Sequence, residues 1–263
     1  MAAFSVVNNI ASANAQANLI NTSNGLQRTL TRLSSGLRIN YSGDDAAGLA
    51  VANGYRSDVA ILGQGVRNAN DGLSSLQIKD GALNNISQLL DRLATLATQS
   101  ASDGFMGDRT TLDAEFTATI GEIDREAGVA GLNASATFSV FLSTGSTVTG
   151  TIGAADKAGL ALGAAKIDTS ANAATALASV KTAIGTLGTV QGSVGTLENQ
   201  LQFAVSLAQT QVANTKAAES RIRDANVAEE SANMTRFSIL NQAGIAALAQ
   251  ANSSNSAVLA LLR

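Results

Sequence analysis

Apolar residues recur at intervals of three and four along most of this chain, and the pattern breaks only in the middle and thins toward the two ends. Ile10, Ala13, Ala17 and Ile20 are spaced 3, 4, 3, and after a phase shift Leu26, Leu30, Leu33 and Leu37 continue at 4, 3, 4, which predicts a helix with a coiled-coil seam. The turn formers Ser34, Ser35, Gly36, Asn40, Ser42 and Gly43 are expected to stop it. A second helix should start near Asp44 and Asp45, whose carboxylates suit the positive end of a helix dipole. Its seam runs Tyr55, Val59, Leu62, Val66, Ala69, Leu73, Leu76, and after one skip Leu83, Ile86, Leu90, Leu93 and Ala97 extend it. About 55 residues at 1.5 Å each would make a rod of roughly 80 Å.

Gly104 and Gly107 mark a reversal over Ser100–Gly107, and a third helix is expected with Leu112, Phe116, Ile120, Ile123 and Ala127 on one face and Gly128 as its cap. Thr137–Phe141 then alternates, Ser143–Gly145 reads as a turn and Val148–Ile152 as a returning strand. From Ala173 the helical period resumes with Leu177, Val180, Ile184, Leu187, Val194, Leu197, Leu201 and Ala208, to about Ala218. The expected fold is mainly α: a long antiparallel coiled-coil rod with a small β-hairpin insert and both termini at the same end.

Composition sharpens this picture. Proline is absent, so long helices are permitted almost anywhere. Aromatics are 3% and tryptophan is absent, which leaves burial to Ala, Leu, Ile and Val and favours slender bundles. Cysteine and histidine are both absent, removing disulfides, thiolate sites, the commonest general base and most transition-metal chemistry. The net charge of −3 gives no footprint for nucleic acid. The first residues lack the positive region and apolar run of a signal peptide, so export would proceed without a cleaved leader.

The candidate chemistry is thin. Adjacent Asp44 and Asp45 do not face each other on a helix and read as a helix start rather than a catalytic pair. Asn70, Asp71 and Gly72 lack the twelve-residue ligand pattern of a calcium loop, and Gly72 is better read as a point of close approach. No cofactor and no metal are expected.

The distribution of charge is more informative. Met1–Gln27 and Phe237–Leu262 carry no charged side chain, and outside 28–230 only Arg236 and Arg263 are charged. The tail is too polar to span a membrane, with Asn241, Gln242, Gln250, Asn252 and Ser253 interrupting its apolar residues. Each end alone has too few large apolar residues to hold a stable helix, so the ends are expected to order only against each other and against neighbouring copies. Uncharged helices pack against others without desolvating ions, and a heterologous, non-closing contact generates a helical filament. The candidate polymerisation residues are Ile10, Ala13, Ala17, Ile20, Phe237, Leu240, Ile245, Leu248, Leu259 and Leu262.

Several long motifs resemble bacterial flagellin. Leu33–Asn40 (LSSGLRIN) with Asp44–Asn53 (DDAAGLAVAN), then Asn68–Leu76 (NANDGLSSL), is similar to the family's N-terminal region. Glu219–Glu230 (ESRIRDANVAEE), Asn233–Leu240 and Gln242–Ala251 (QAGIAALAQA) are similar to its C-terminal region, with Asn226 where the family often has Asp. The resemblance implies a filament subunit with 1–40 and 219–263 in an inner layer, 41–133 and 172–218 in a surrounding rod layer, and a small variable region at 134–171. It implies connectors carrying Asp44, Asp45, Arg221, Arg223 and Asp224. It further implies export unfolded through the flagellar type III apparatus with a chaperone, growth under a cap protein, junction proteins as partners, sister flagellins as co-polymers, and an extracellular location. The rival readings are a hook-filament junction protein and a coiled-coil type III secreted effector or translocator.

Two further sets of residues follow from the resemblance. Flagellins in many species carry O-linked sugars on outward hydroxyls, which makes Ser143, Thr144, Ser146, Thr147, Thr149, Thr151, Thr169 and Ser170 candidates against a plain solvated loop. Arg92, Leu96, Gln99 and Glu122 match positions contacted by the innate immune receptor in recognised members. Ala94 and Thr95 depart from that pattern, and a solvent-facing or subunit-facing strip is the alternative reading.

Overall fold

The structure is a computed structural model that describes residues 8–143 and 145–261, with side chains described through Ser254. The order of elements is α1 (Ile10–Ser35), α2 (Ala46–Ala101), α3 (Arg109–Val129), β1 (Ala136–Ser143), β2 (Ser146–Ile152), α4 (Ser170–Arg223) and α5 (Val227–Leu261). The mainly helical class and the antiparallel hairpin are as the periodicity predicts. The chain forms two compact units, Met1–Ser57 with Asn214–Arg263, and Asp58–Ala213.

The second unit holds the core. On α2 the buried seam runs Leu62, Gly65, Ala69, Gly72, Leu76, then Leu83, Ile86, Leu90, Leu93, Ala97 and Ser100, with Ala82 and Leu96 buried beside it, and half-buried Lys79 fills the step between Leu76 and Leu83. The heptad is therefore unbroken, and the apparent skip in the apolar pattern is a lysine in the seam. Its Nζ donates to the carbonyls of Ala130 at 2.7 Å and Gly131 at 3.3 Å, just past the end of α3. A cation there meets the negative end of the helix dipole, while burial pushes the Lys79 amine below its ordinary range.

On α4 the buried positions are Ala173, Ala176, Val180, Ala183, Leu187, Val190, Val194, Leu197, Leu201 and Ala208. Two of the expected seam residues lie elsewhere: Ile184 is exposed and Leu177 half-buried, and their alanine neighbours Ala183 and Ala176 take the contact instead. Small side chains let the helices approach closely and leave the larger ones to cover the flanks. Phe116, Ile120, Ile123 and Ala127 of α3 complete the helical part of the core. Gly128 lies inside α3 rather than at its cap, and the left-handed residue that turns the chain is Gly131, with φ 65°.

The hairpin pairs Ala136 with Ile152 through Val140 with Val148, closing at Ser143 and Ser146. Alternation puts Phe138, Val140, Leu142 and Ile152 inward and Ser139, Phe141, Thr147, Thr149 and Thr151 outward. Its inner face rests on the two glycines of the α2 seam: a Cβ at Gly72 would lie 2.7 Å from Val140 Cγ2, and one at Gly65 would lie 1.8 Å from the Leu142 carbonyl oxygen. Gly72 thus serves close approach, as its sequence context suggested. The segment from 153 to 169 follows, and Ala155, Leu160, Leu162 and Ile167 are buried in the same core.

The first unit differs in kind. Among its described residues only Thr29, Ile39, Ala52 and Glu230 are buried.

Candidate assembly interface

Within the first unit α1 pairs with α5 from Glu230 to Ala251 as antiparallel helices. Arg32 Nη1 donates to Glu230 Oε1 at 3.3 Å, Phe237 covers Gly25, Leu19 covers Gly244, and Asn9 Nδ2 donates to the Ala251 carbonyl at 3.1 Å. The four α5 positions are seven residues apart, so the contact follows a heptad. The covered positions run Ser12, Ala15, Leu19, Thr22, Leu26, Thr29, Leu33 on α1 and Glu230, Met234, Phe237, Asn241, Gly244, Leu248, Ala251 on α5. The ends do pair with each other, in a seam that is half polar and small.

That seam corrects the one drawn from apolar spacing. Ile10, Ala13, Ala17 and Ile20 are exposed and lie off the α1–α5 contact, and Leu37 falls beyond the end of α1, which closes at left-handed Gly36. Of the α5 residues, Phe237 and Leu248 face the seam while Leu240 and Ile245 are exposed. The Leu259 side chain and Leu262 lie outside the described residues. The outer faces of the pair therefore present Ile10, Ile20 and Leu30 together with Ile239, Leu240 and Ile245, each 47% to 64% accessible.

The connectors are tied together. Leu37 and Asp224 form an isolated antiparallel bridge, in which the Arg38 amide donates to the Arg223 carbonyl at 2.6 Å and the Ala225 amide to the Gly36 carbonyl at 2.9 Å. Arg38 Nη2 reaches the Ile222 carbonyl at 2.5 Å, and Ser220 donates to Asp224 Oδ2 at 2.6 Å. Arg221 is exposed and Arg223 half-buried. Asp45 caps α2, its Oδ1 accepting from the Gly48 amide at 2.8 Å. Asp44 instead stitches the preceding turn, accepting from the amides of Asn40 at 3.1 Å and Tyr41 at 3.2 Å.

Those two amides, Asn40 first, hold the Asp44 carboxyl below its ordinary range. A depressed carboxylate stabilises the fold above its unfolded pKa, and the contribution is lost as pH falls through the folded value. The amide resonances of Asn40 and Tyr41 should therefore titrate with a midpoint below 3.8 and become flat in Asp44→Asn. A midpoint at or above 3.8 would contradict the assignment.

The remaining candidate residues divide. Arg92 pairs with Glu115 and Glu122 with Arg125, both at the surface, and Gln99 is exposed. Leu96 is only 1% accessible, because it sits on the core side of α2 beside Leu93 and Ala97, so Arg92, Leu96 and Gln99 do not form one exposed strip. Ser146, Thr147, Thr149 and Thr151 are exposed and Ser143 is half-buried, while Thr144 lies outside the described residues. Thr169 accepts from the Asn172 amide at 3.1 Å, and Ser170 donates to the Ala101 carbonyl at 2.9 Å, so the fold uses these two hydroxyls. No group of metal-ligating side chains occurs among the described residues, and no described helix is long and apolar enough to cross a membrane.

Family models for the bacterial flagellin N-terminal and C-terminal helical regions match residues 6–140 and 177–262. The chain belongs to the flagellin family. It is 36% identical to the flagellin of Halalkalibacterium halodurans over 271 residues, covering 97% of this chain and 98% of that protein. The flagellar filament 33 kDa core protein of Treponema phagedenis is 33% identical over 281 residues, with 97% and 98% covered. A crystal structure of Bacillus cereus flagellin aligns with 58% of this chain and 94% of its own, at 30% identity and a TM-score of 0.48. Flagellins are structural proteins that self-polymerise into the extracellular flagellar filament. This flagellin is such a filament subunit.

Proposed function

We propose that this flagellin polymerises through the outer faces of its paired ends, with α1 and α5 forming the inner layer of the tube and the second unit the layer around it. The observation that carries this reading is the number of large apolar side chains, Ile10, Ile20, Leu30, Ile239, Leu240 and Ile245, exposed on helices almost free of charge. Isolated exposed apolar residues are ordinary, but six of them on a pair with so little core of its own point to burial elsewhere. Neighbouring copies supply that burial.

The chain leaves the cell unfolded through the flagellar export channel, handed over by a chaperone, and adds to the filament beneath a cap protein. It contacts junction proteins at the filament base. No catalytic step is part of this role. The exposed hydroxyls of Ser146, Thr147, Thr149 and Thr151 are the positions best placed for O-linked sugar. Intact-mass spectrometry of native filaments giving the bare chain mass would remove that assignment.

Purified chain seeded with filament fragments should grow long tubes seen by electron microscopy. Ile20→Glu with Ile245→Glu should raise the concentration needed for growth by about tenfold or more, since charge is placed in an interface that excludes it. Growth unaffected by those substitutions would overturn the assignment of the face.

A further inference from the structure

A heptad seam repeats every seven residues, so hydrophobic pattern alone leaves α1 and α5 free to slip by one repeat. The seam is especially degenerate because Thr22, Thr29, Asn241 and Ala251 fill many of its positions. Something must choose among the registers. A Cβ built at Gly25 would lie 2.7 Å from Cε1 of Phe237, and one at Gly244 would lie 3.1 Å from Cδ1 of Leu19. Each helix thus carries one notch and one knob, in opposite order. Glycine within a helix costs up to about 1 kcal/mol relative to alanine, so two notches in a thinly packed pair need a reason.

We infer that the reciprocal pairs Gly25–Phe237 and Leu19–Gly244 are the specificity determinants of end pairing, admitting an α5 helix to α1 in a single register. A slip of seven residues sets Phe237 opposite Asn18 or Arg32, where no notch receives the ring. In one direction it also brings Leu19 against Phe237. Either slip separates Arg32 from Glu230, leaving a carboxylate whose side chain is only 11% accessible without its guanidinium. Aromatic volume selects the register, and the ion pair penalises the alternatives.

The test is made on the soluble full-length chain, so it is independent of whether filaments form. The sequence has no cysteine, and a Cβ at 244 would lie 3.9 Å from the Leu19 Cβ, within the span of a disulfide. The double variant Leu19→Cys/Gly244→Cys should therefore close within one chain under mild oxidation, reporting the native register. In that background Gly25→Leu is expected to slow closure by about tenfold or more. The exchange Gly25→Phe with Phe237→Gly is expected to recover closure, because it restores one notch and one knob. Gly25→Ala should stay within about threefold of the parent, since ring rotation can admit a methyl group and alanine favours the helix. A parent that fails to close within one chain overturns the inference. So does Gly25→Leu closing at the parental rate, or an exchange variant no faster than Gly25→Leu.

Discussion

Deleting residues 1–30 should abolish filament formation and unfold α5 as well, leaving the second unit folded. α5 spans 35 residues, but within the described part its contact is α1, and its own sequence is rich in poor helix formers such as Asn233, Asn241, Gly244 and Asn252. A single helix of that composition has too little to offset its ordering entropy in water. The second unit should survive because its core, from Ala69 to Leu201, draws nothing from either end. Circular dichroism should show a loss of helix exceeding the residues removed, with the thermal transition of the remainder retained. Deleting 237–263 should have the mirror effect on α1. Long filaments from either truncated chain would show that the ends are not the polymerisation element.

The second large effect is expected at Gly65→Ala. A methyl group there would meet the Leu142 carbonyl oxygen at 1.8 Å, and backbone cannot swing aside as a side-chain tip can. The hairpin must lift from α2, stretching the hydrogen bond from Asn68 Nδ2 to the Phe141 carbonyl, now 3.2 Å, and opening the packing of buried Leu142. The net loss should be about 1–3 kcal/mol even after the gain in helix propensity. Gly63→Ala is the internal control, because a Cβ there meets nothing within 4 Å and the change should stabilise by up to about 1 kcal/mol. Urea midpoints of the two variants give the comparison. Equal midpoints would mean the hairpin is not seated on Gly65.

The contrast between these sites explains what could be read from sequence. The second unit was legible because Leu83, Ile86, Leu90 and Leu93 on α2 and Leu187, Leu197 and Leu201 on α4 mark the seam by hydrophobicity, and the alternation at 137–141 marks the hairpin. The end helices were legible as helices and as poor in charge, but their seam only at Leu26, Leu33, Phe237 and Leu248. Closely packed helices select for smallness, so Thr22, Gly25, Thr29 and Gly244 hold covered positions while Ile10 and Ile20 stand outside. Apolar spacing therefore followed the wrong face over Ile10–Ile20 and met the seam only at Leu26 and Leu33. Lys79 hid a seam position for a related reason: its charge reads as surface, although its carbonyl partners lie fifty residues away in the chain. The connector pairing of 36–38 with 223–225 carries no local signal at all, because backbone bonds between distant segments leave no pattern in side chains.

That connector pairing has a mechanical meaning. The polypeptide enters α2 from α1, and α5 from α4, through two short strands held side by side by the Arg38 and Ala225 amides and by a guanidinium on the Ile222 carbonyl. Tension along the chain runs through the covalent backbone of each strand, and the bonds between them oppose the splaying of one strand from the other. The joint therefore works as a two-ply strap, in which the plies share no tension but keep each other from fanning apart.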